Sequence, residues 1–309
     1  MNATAATLTC LASSAALVGI FAMPATAQTA AERLGIPSPD AREGQTVSVN
    51  GAEIFYQDSG EGDILVLLHG YPLSGALFER VRDDLDDDHR VITIDHRGYG
   101  NSTTPEPVTN VTTYAEDALA VLEEIGVESA VIGGMSMGGP IMFEMYRQAP
   151  EVFEGMVLID TNHKAANPIE KGIWNGAEAM LNNSSDVSSI IPVLMPDMLT
   201  GATRIEEAPA QVDYLTAAIM QASLDGAIGG AKVLAGRPDS TDTLRGLEVS
   251  ALVLVGREDS LYPVELSRDM ADLIPNAEVF VIDGAAHAAI FEQPEASAQA
   301  IRDWMARLE

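Results

Sequence analysis

The stretch Val131-Ile132-Gly133-Gly134-Met135-Ser136-Met137-Gly138-Gly139-Pro140 decides the fold. An apolar run enters it, a Gly-x-Ser-x-Gly motif lies at its centre, and a helical stretch leaves it. A strand that turns abruptly into a helix holds the turn residue, here Ser136, in strained backbone geometry. Gly134 and Gly138 are small because the chain passes too close to itself there for side chains. The Ser136 hydroxyl is thereby presented at the positive end of the next helix, whose first turn tolerates Pro140.

On either side of it, Ile64–Leu68, Val91–Ile94, Ala130–Ile132, Met156–Ile159, Leu252–Val255 and Val279–Ile282 are short, nearly unbroken apolar runs. Strands buried on both faces of a parallel sheet have that composition. Thr46–Asn50 and Glu53–Gln57 instead alternate apolar with polar residues around Gly51, which predicts a hairpin exposed on one face. Helical spacing links Tyr114, Ala118, Val121, Leu122 and Ile125, behind a Thr113-x-x-Glu116 capping box and ahead of Gly126. Pro294 suits the first turn of a last helix that runs to about Leu308, with Ile301, Trp304 and Leu308 on one face. The alternation predicts an α/β fold with a mostly parallel sheet flanked by helices. Between about Ala166 and Arg237 only helical patterns occur. Residues 166–237 are therefore expected to form a helical cap inserted between two parts of the core, 28–165 and 238–309. The polar stretch from Gln28 to about Arg42, with Pro37 and Pro39, reads as a lead-in and not as a folded unit.

Composition narrows the partners. The 309 residues are 47% hydrophobic, enough for a sizeable core. Forty-six acidic residues against 17 basic ones give a net charge of −29. Such a surface repels phosphate backbones and anionic headgroups, which argues against nucleic acid and against a membrane surface. It also reads as adaptation to a saline setting, where screening removes the self-repulsion. The cluster Asp83, Asp84, Asp86, Asp87 and Asp88 fits a solvated helix end better than a calcium loop. Residues 1–27 carry no charged side chain, and Leu8 to Met23 is apolar or small. Ala25-Thr26-Ala27 supplies the small-x-small pattern of a signal peptide cut before Gln28, so the protein is expected to be secreted or periplasmic. The single cysteine, Cys10, lies inside that leader. The remaining chain then has no disulfide, no thiol nucleophile and no Cys-ligated metal, and no metal or cofactor is implied.

A serine hydroxyl needs a base to take its proton and a third group to orient that base. His287 is the best base, because it follows the last strand through Gly284-Ala285-Ala286. His69, before Gly70, suits a structural hydrogen bond. His89, among aspartates, is expected to be exposed, and His96 and His163 remain as weaker candidates behind other strands. For the orienting acid, Asp259 follows Leu252–Val255, while Asp160 competes from the end of Met156–Ile159 and Glu258 is weaker. An oxyanion needs preorganised N–H donors. Met137, directly after the serine, supplies one, and Tyr71 in His69-Gly70-Tyr71-Pro72 is the natural second, since Pro72 has none.

The segments HGYP (69–72), DHRGYGNS (95–102), GMSMGG (134–139), GREDSLYP (256–263) and GAAHAAIFEQPE (284–295) resemble the α/β-hydrolase superfamily, in family order and from about residue 45 onward. Within it the chain is similar to esterases, enol-lactonases and cofactor-free perhydrolases with a Ser-Asp-His triad. The resemblance implies an eight-stranded sheet, a helical cap after the sixth strand, and Asp259 as the triad acid; the order Ser136, Asp259, His287 agrees. Haloalkane dehalogenases and epoxide hydrolases use an aspartate nucleophile, which Ser136 argues against. No His-x-His-x-Asp-His cluster exists, so metal-dependent lactonases are set aside. The cap's Ile173, Trp174, Met180, Leu181, Met195, Met198, Leu199, Tyr214 and Met220 form an adaptable apolar set, and its cations are few. The expected activity is hydrolysis of small carboxylic esters or lactones through an acyl-enzyme. Perhydrolysis (a haloperoxidase-type activity), acyl-homoserine lactone opening and a non-catalytic binding protein are the alternatives.

Overall fold

The computed structural model describes residues 25–105, 108–201 and 209–308; most of the leader, through residue 24, lies outside the described residues. One sheet contains β1 (Gln45–Val49), β2 (Ala52–Ser59), β3 (Ile64–Leu68), β4 (Arg90–Ile94), β5 (Ala130–Met135), β6 (Phe153–Ile159), β7 (Ser250–Gly256) and β8 (Ala277–Ile282). Their order is β1-β2-β4-β3-β5-β6-β7-β8. β1 pairs antiparallel with β2 and β2 with β4; every other pairing is parallel. Asn50 and Gly51 close the hairpin with φ of 49° and 76°, a left-handed pair that suits the right-handed twist of its strands.

The central strands are buried almost throughout, as their apolar runs require. β8 is not. It lies at the sheet edge, and Val279 and Phe280 are 37% and 42% exposed, so the expectation of burial on both faces fails there. An apolar run has the same sequence pattern whether or not a neighbour covers it.

The helices are α1 (Ala25–Leu34), α2 (Glu79–Leu85), α3 (Val111–Glu124), α4 (Gly138–Gln148), α5 (Pro168–Leu181), α6 (Ile191–Met198), α7 (Pro209–Met220), α8 (Leu224–Gly236), α9 (Thr241–Arg245), α10 (Val264–Ala271), α11 (Ala289–Glu292) and α12 (Pro294–Met305). α4 packs on β5 and α3, while α2 packs on α12. Only helices and turns occur among the described residues between β6 and β7, with α5 against α8 and α6 against α7.

Two local expectations fail. α3 starts at Val111 and not behind Thr113: the Asn110 side chain caps it, accepting the Thr113 N–H at 3.2 Å. The earlier start buries Val111 on the face that continues through Tyr114 and Ala118. The lead-in is also folded. α1 packs on α7 with Ala27, Ala30 and Ala31 buried, and the Tyr214 hydroxyl donates to the Pro37 carbonyl at 3.2 Å. Small residues at spacings of three and four let two helices approach closely, a signal easily lost in a polar stretch. Arg42, at the end of that stretch, is buried in a two-bond ion pair with Asp95.

Candidate active site

The parallel strands bring the loops after β3, β5, β6, β7 and β8 to one edge of the sheet, where open α/β sheets place ligands. Ser136 stands in the turn from β5 to α4 at φ 50°, a left-handed conformation that a serine adopts only when its surroundings enforce it. They do so here. The Ser136 N–H donates to the Ile159 carbonyl at 3.0 Å, and the Thr161 hydroxyl donates to the Ser136 carbonyl at 2.6 Å. A Cβ on Gly134 would lie 2.5 Å from the Gly138 carbonyl oxygen, and one on Gly138 would lie 2.2 Å from the Leu68 carbonyl oxygen, so both glycines are needed for the turn to close.

His287 and Asp259 meet Ser136 from the loops after β8 and β7. The Ser136 hydroxyl lies 3.0 Å from His287 Nε2, and His287 Nδ1 lies 2.9 Å from Asp259 Oδ2. Asp259 Oδ1 accepts the N–H groups of Leu261 at 2.8 Å and Tyr262 at 2.9 Å, which leaves Oδ2 directed at the imidazole. The Tyr262 ring meets His287 edge-on with centroids 5.5 Å apart. A hydroxyl, an imidazole and a carboxylate in this sequence can activate the hydroxyl as a nucleophile and carry its proton.

Tyr71 and Met137 border the same serine. The turn after β3 presses so close that a Cβ on Gly70 would lie 2.9 Å from Ser136 Cβ. Among the described residues, neither the Tyr71 N–H nor the Met137 N–H has a protein acceptor, so both can bind an external oxygen.

The other candidates occupy different places. Asp160, at φ 42°, is fully buried and accepts the N–H groups of Gly256 at 2.8 Å and Ala289 at 3.3 Å. Burial first, and then the nearby Asp259 charge, hold its carboxyl well above the usual range. It braces the chain near Asp259 and His287 and makes no bond to His287. Glu258 forms a backbone bond to Ala285. His69 is buried, its Nδ1 2.9 Å from the Gly70 carbonyl and its Nε2 accepting the His96 N–H at 2.9 Å. Burial depresses it to about 3, and His96 is likewise held neutral. His163 is buried in the connection between β6 and α5. His89 contradicts the expectation of exposure: it is only 7% exposed, because the chain folds back from the acidic helix end and its N–H bonds the Leu85 carbonyl at 3.0 Å.

One buried carboxylate next to the site has no counterpart among the expectations. Glu292 is buried; one carboxylate oxygen accepts the Ala286 N–H at 2.7 Å and the other the Thr200 N–H at 2.9 Å. It thus ties the loop carrying His287 to the end of α6. Its place five residues after His287 was the available signal.

A cavity of about 420 Å³ opens over Ser136 and His287, walled by Tyr71, Trp174, Leu194, Met198 and Tyr262. It is mostly apolar and lies between the sheet edge and helices α5 and α6.

Known proteins share this fold. The family described as the alpha/beta hydrolase fold matches residues 63–183. A thermophilic esterase from Thermogutta terrifontis superposes with a TM-score of 0.82 at 30% identity, covering 86% of this chain and 99% of its own. The chain belongs to the α/β-hydrolase superfamily and is a carboxylic ester hydrolase within it. A pimeloyl-[acyl-carrier protein] methyl ester esterase of Vibrio cholerae is 28% identical over 82% of this chain and 98% of its own length. A putative non-heme chloroperoxidase of Synechocystis is 28% identical over 76% and 88%.

Proposed function

We propose that the protein is a secreted serine hydrolase of small, weakly polar carboxylic esters or lactones, working through an acyl-enzyme on Ser136. The observation that carries the reading is the unbroken chain of contacts from Ser136 through His287 to Asp259 at the floor of an apolar cavity. Ser136 Oγ attacks the ester carbonyl while His287 Nε2 takes its proton. Asp259 holds the imidazole by its Nδ1–H and stabilises the resulting cation. The Tyr71 and Met137 N–H groups receive the oxyanion. The tetrahedral species then collapses, the alcohol leaves with the proton from His287, and the acyl group stays on Ser136. Water, deprotonated by His287, attacks next and releases the acid. In a lactone the departing hydroxyl remains attached to the acyl chain.

A second reading, perhydrolysis, has peroxide replacing water at the acyl-enzyme, and the chloroperoxidase named among the relatives favours keeping it. Export rests on the leader, of which residues 1–24 lie outside the described residues.

Fluorophosphonate treatment followed by peptide mass spectrometry, alongside p-nitrophenyl butyrate hydrolysis, tests the mechanism. Labelling confined to Ser136 with activity lost in step is expected, and Ser136→Ala should lose several orders of magnitude in rate while remaining folded. Folded protein that takes no label would overturn it. Peroxide-dependent bromination with acetate separates the second reading from the first.

A further inference from the structure

We propose that Asp197 makes the mouth of the catalytic cavity charge-selective, admitting uncharged and cationic esters while holding out esters that carry a carboxylate. The proposal rests on the ester-hydrolase reading and names the substrate class of that site. Asp197 and Glu170 both line the cavity, and no lysine or arginine lines it among the described residues. The two carboxylates are not equivalent. Glu170 is neutralised by Arg237 at 2.6 Å, an arginine that is itself buried. Asp197 has no ion-pair partner among the described residues; its Oδ1 accepts only the Ser260 hydroxyl, at 2.7 Å. That bond holds the half-buried carboxylate beside the loop that carries Asp259. Lys164, in the adjoining groove, already faces Asp269 at 3.7 Å.

The rest of the wall supports the same selection. Ile173, Val193 and Leu261 are exposed at the cavity and offer an anion neither a hydrogen bond nor a charge from their side chains. Tyr71, Trp174 and Tyr262 present aromatic surface, which attracts an ammonium group and not a carboxylate. The overall charge of −29 adds to the repulsion at long range.

Three butyrate esters of matched size test the proposal: butyrylcholine, its uncharged isostere 3,3-dimethylbutyl butyrate, and 2-carboxyethyl butyrate. At low salt kcat/KM for the carboxylate ester should lie about tenfold below the uncharged one, the size of one unit charge several Å away in a partly aqueous mouth. Butyrylcholine should equal or exceed the uncharged ester. Asp197→Asn keeps the acceptor for Ser260 and removes only the charge. The ratio of anionic to uncharged kcat/KM should therefore move toward one in that variant, and also in about 1 M NaCl. Ratios cancel any effect of salt on the amount of folded enzyme. A parent ratio near one, or a ratio that Asp197→Asn leaves unchanged, overturns the proposal.

Fluorescence quenching supplies a readout that needs no turnover. Of the two tryptophans, Trp174 lines the cavity and Trp304 is 2% exposed. At constant ionic strength, with each quenching constant divided by its value for free N-acetyltryptophanamide, caesium should quench more strongly than iodide, and Asp197→Asn should narrow the gap. Equal normalised quenching by the two ions overturns the charge selection. If the asymmetry holds but no ester is hydrolysed, the ester-hydrolase reading fails and the charge selection stands.

Discussion

His287 owes its geometry to more than the serine and the aspartate it touches. Its loop is held by two buried carboxyl groups, Glu292 at the Ala286 N–H and Asp160 at the Ala289 N–H. The loop is also held by the Met198 carbonyl, which accepts the Ala288 N–H at 2.8 Å. Glu292→Gln would turn an amide NH₂ toward one of the two backbone N–H groups that now share the carboxylate. Leaving a buried donor unpaired costs about 1–3 kcal/mol. Thermal melting should show that loss, with kcat reduced and KM less affected. A melt and a kcat both equal to the parent's would show that the carboxylate neither stabilises the loop nor positions His287. Ser136, Asp259 and His287 were nameable from sequence because each follows the end of an apolar run. Between Asp160 and Asp259, chain order and the family resemblance favoured Asp259, but what Asp160 does instead was not legible. Both follow strands, and only the packed loops show what the Asp160 carboxyl meets.

At the scale of elements, α1 departs furthest from what its polar sequence suggests. It packs on α7, so the stretch before the sheet joins the helices that lie between β6 and β7 in the chain. The leader cut expected before Gln28 falls inside α1, three residues after its start. A chain beginning at Gln28 keeps Ala30 and Ala31 in the contact, whereas one beginning at Pro37 loses the contact altogether. Burial of a few small apolar side chains is worth on the order of 1–3 kcal/mol. The Gln28 chain should therefore melt close to the full-length protein, and the Pro37 chain several degrees lower, by thermal melting under one buffer. Equal melting of the two shortened chains would show that α1 contributes nothing to stability.

For the whole molecule, charge is the dominant unusual feature. Many of the basic side chains are already engaged, as in Arg42–Asp95, Arg97–Asp117 and Arg237–Glu170, which leaves the acidic surplus unneutralised at the surface. Repulsion among those carboxylates weakens as salt shortens the Debye length to roughly 3 Å at about 1 M. The melting temperature should rise between low salt and about 1 M NaCl. A flat or falling curve would reduce the acidity to a feature of composition.

The sequence by itself determined the α/β class, the position of the serine turn and the candidates around it, because strand and helix periodicities and a Gly-x-Ser-x-Gly turn are local properties of the chain. The tertiary structure alone decided that β8 is an edge, that α1 is packed, and that Glu292 joins the histidine loop to α6. Each of those depends on what lies across a gap from residues distant in the chain, and no local pattern records it.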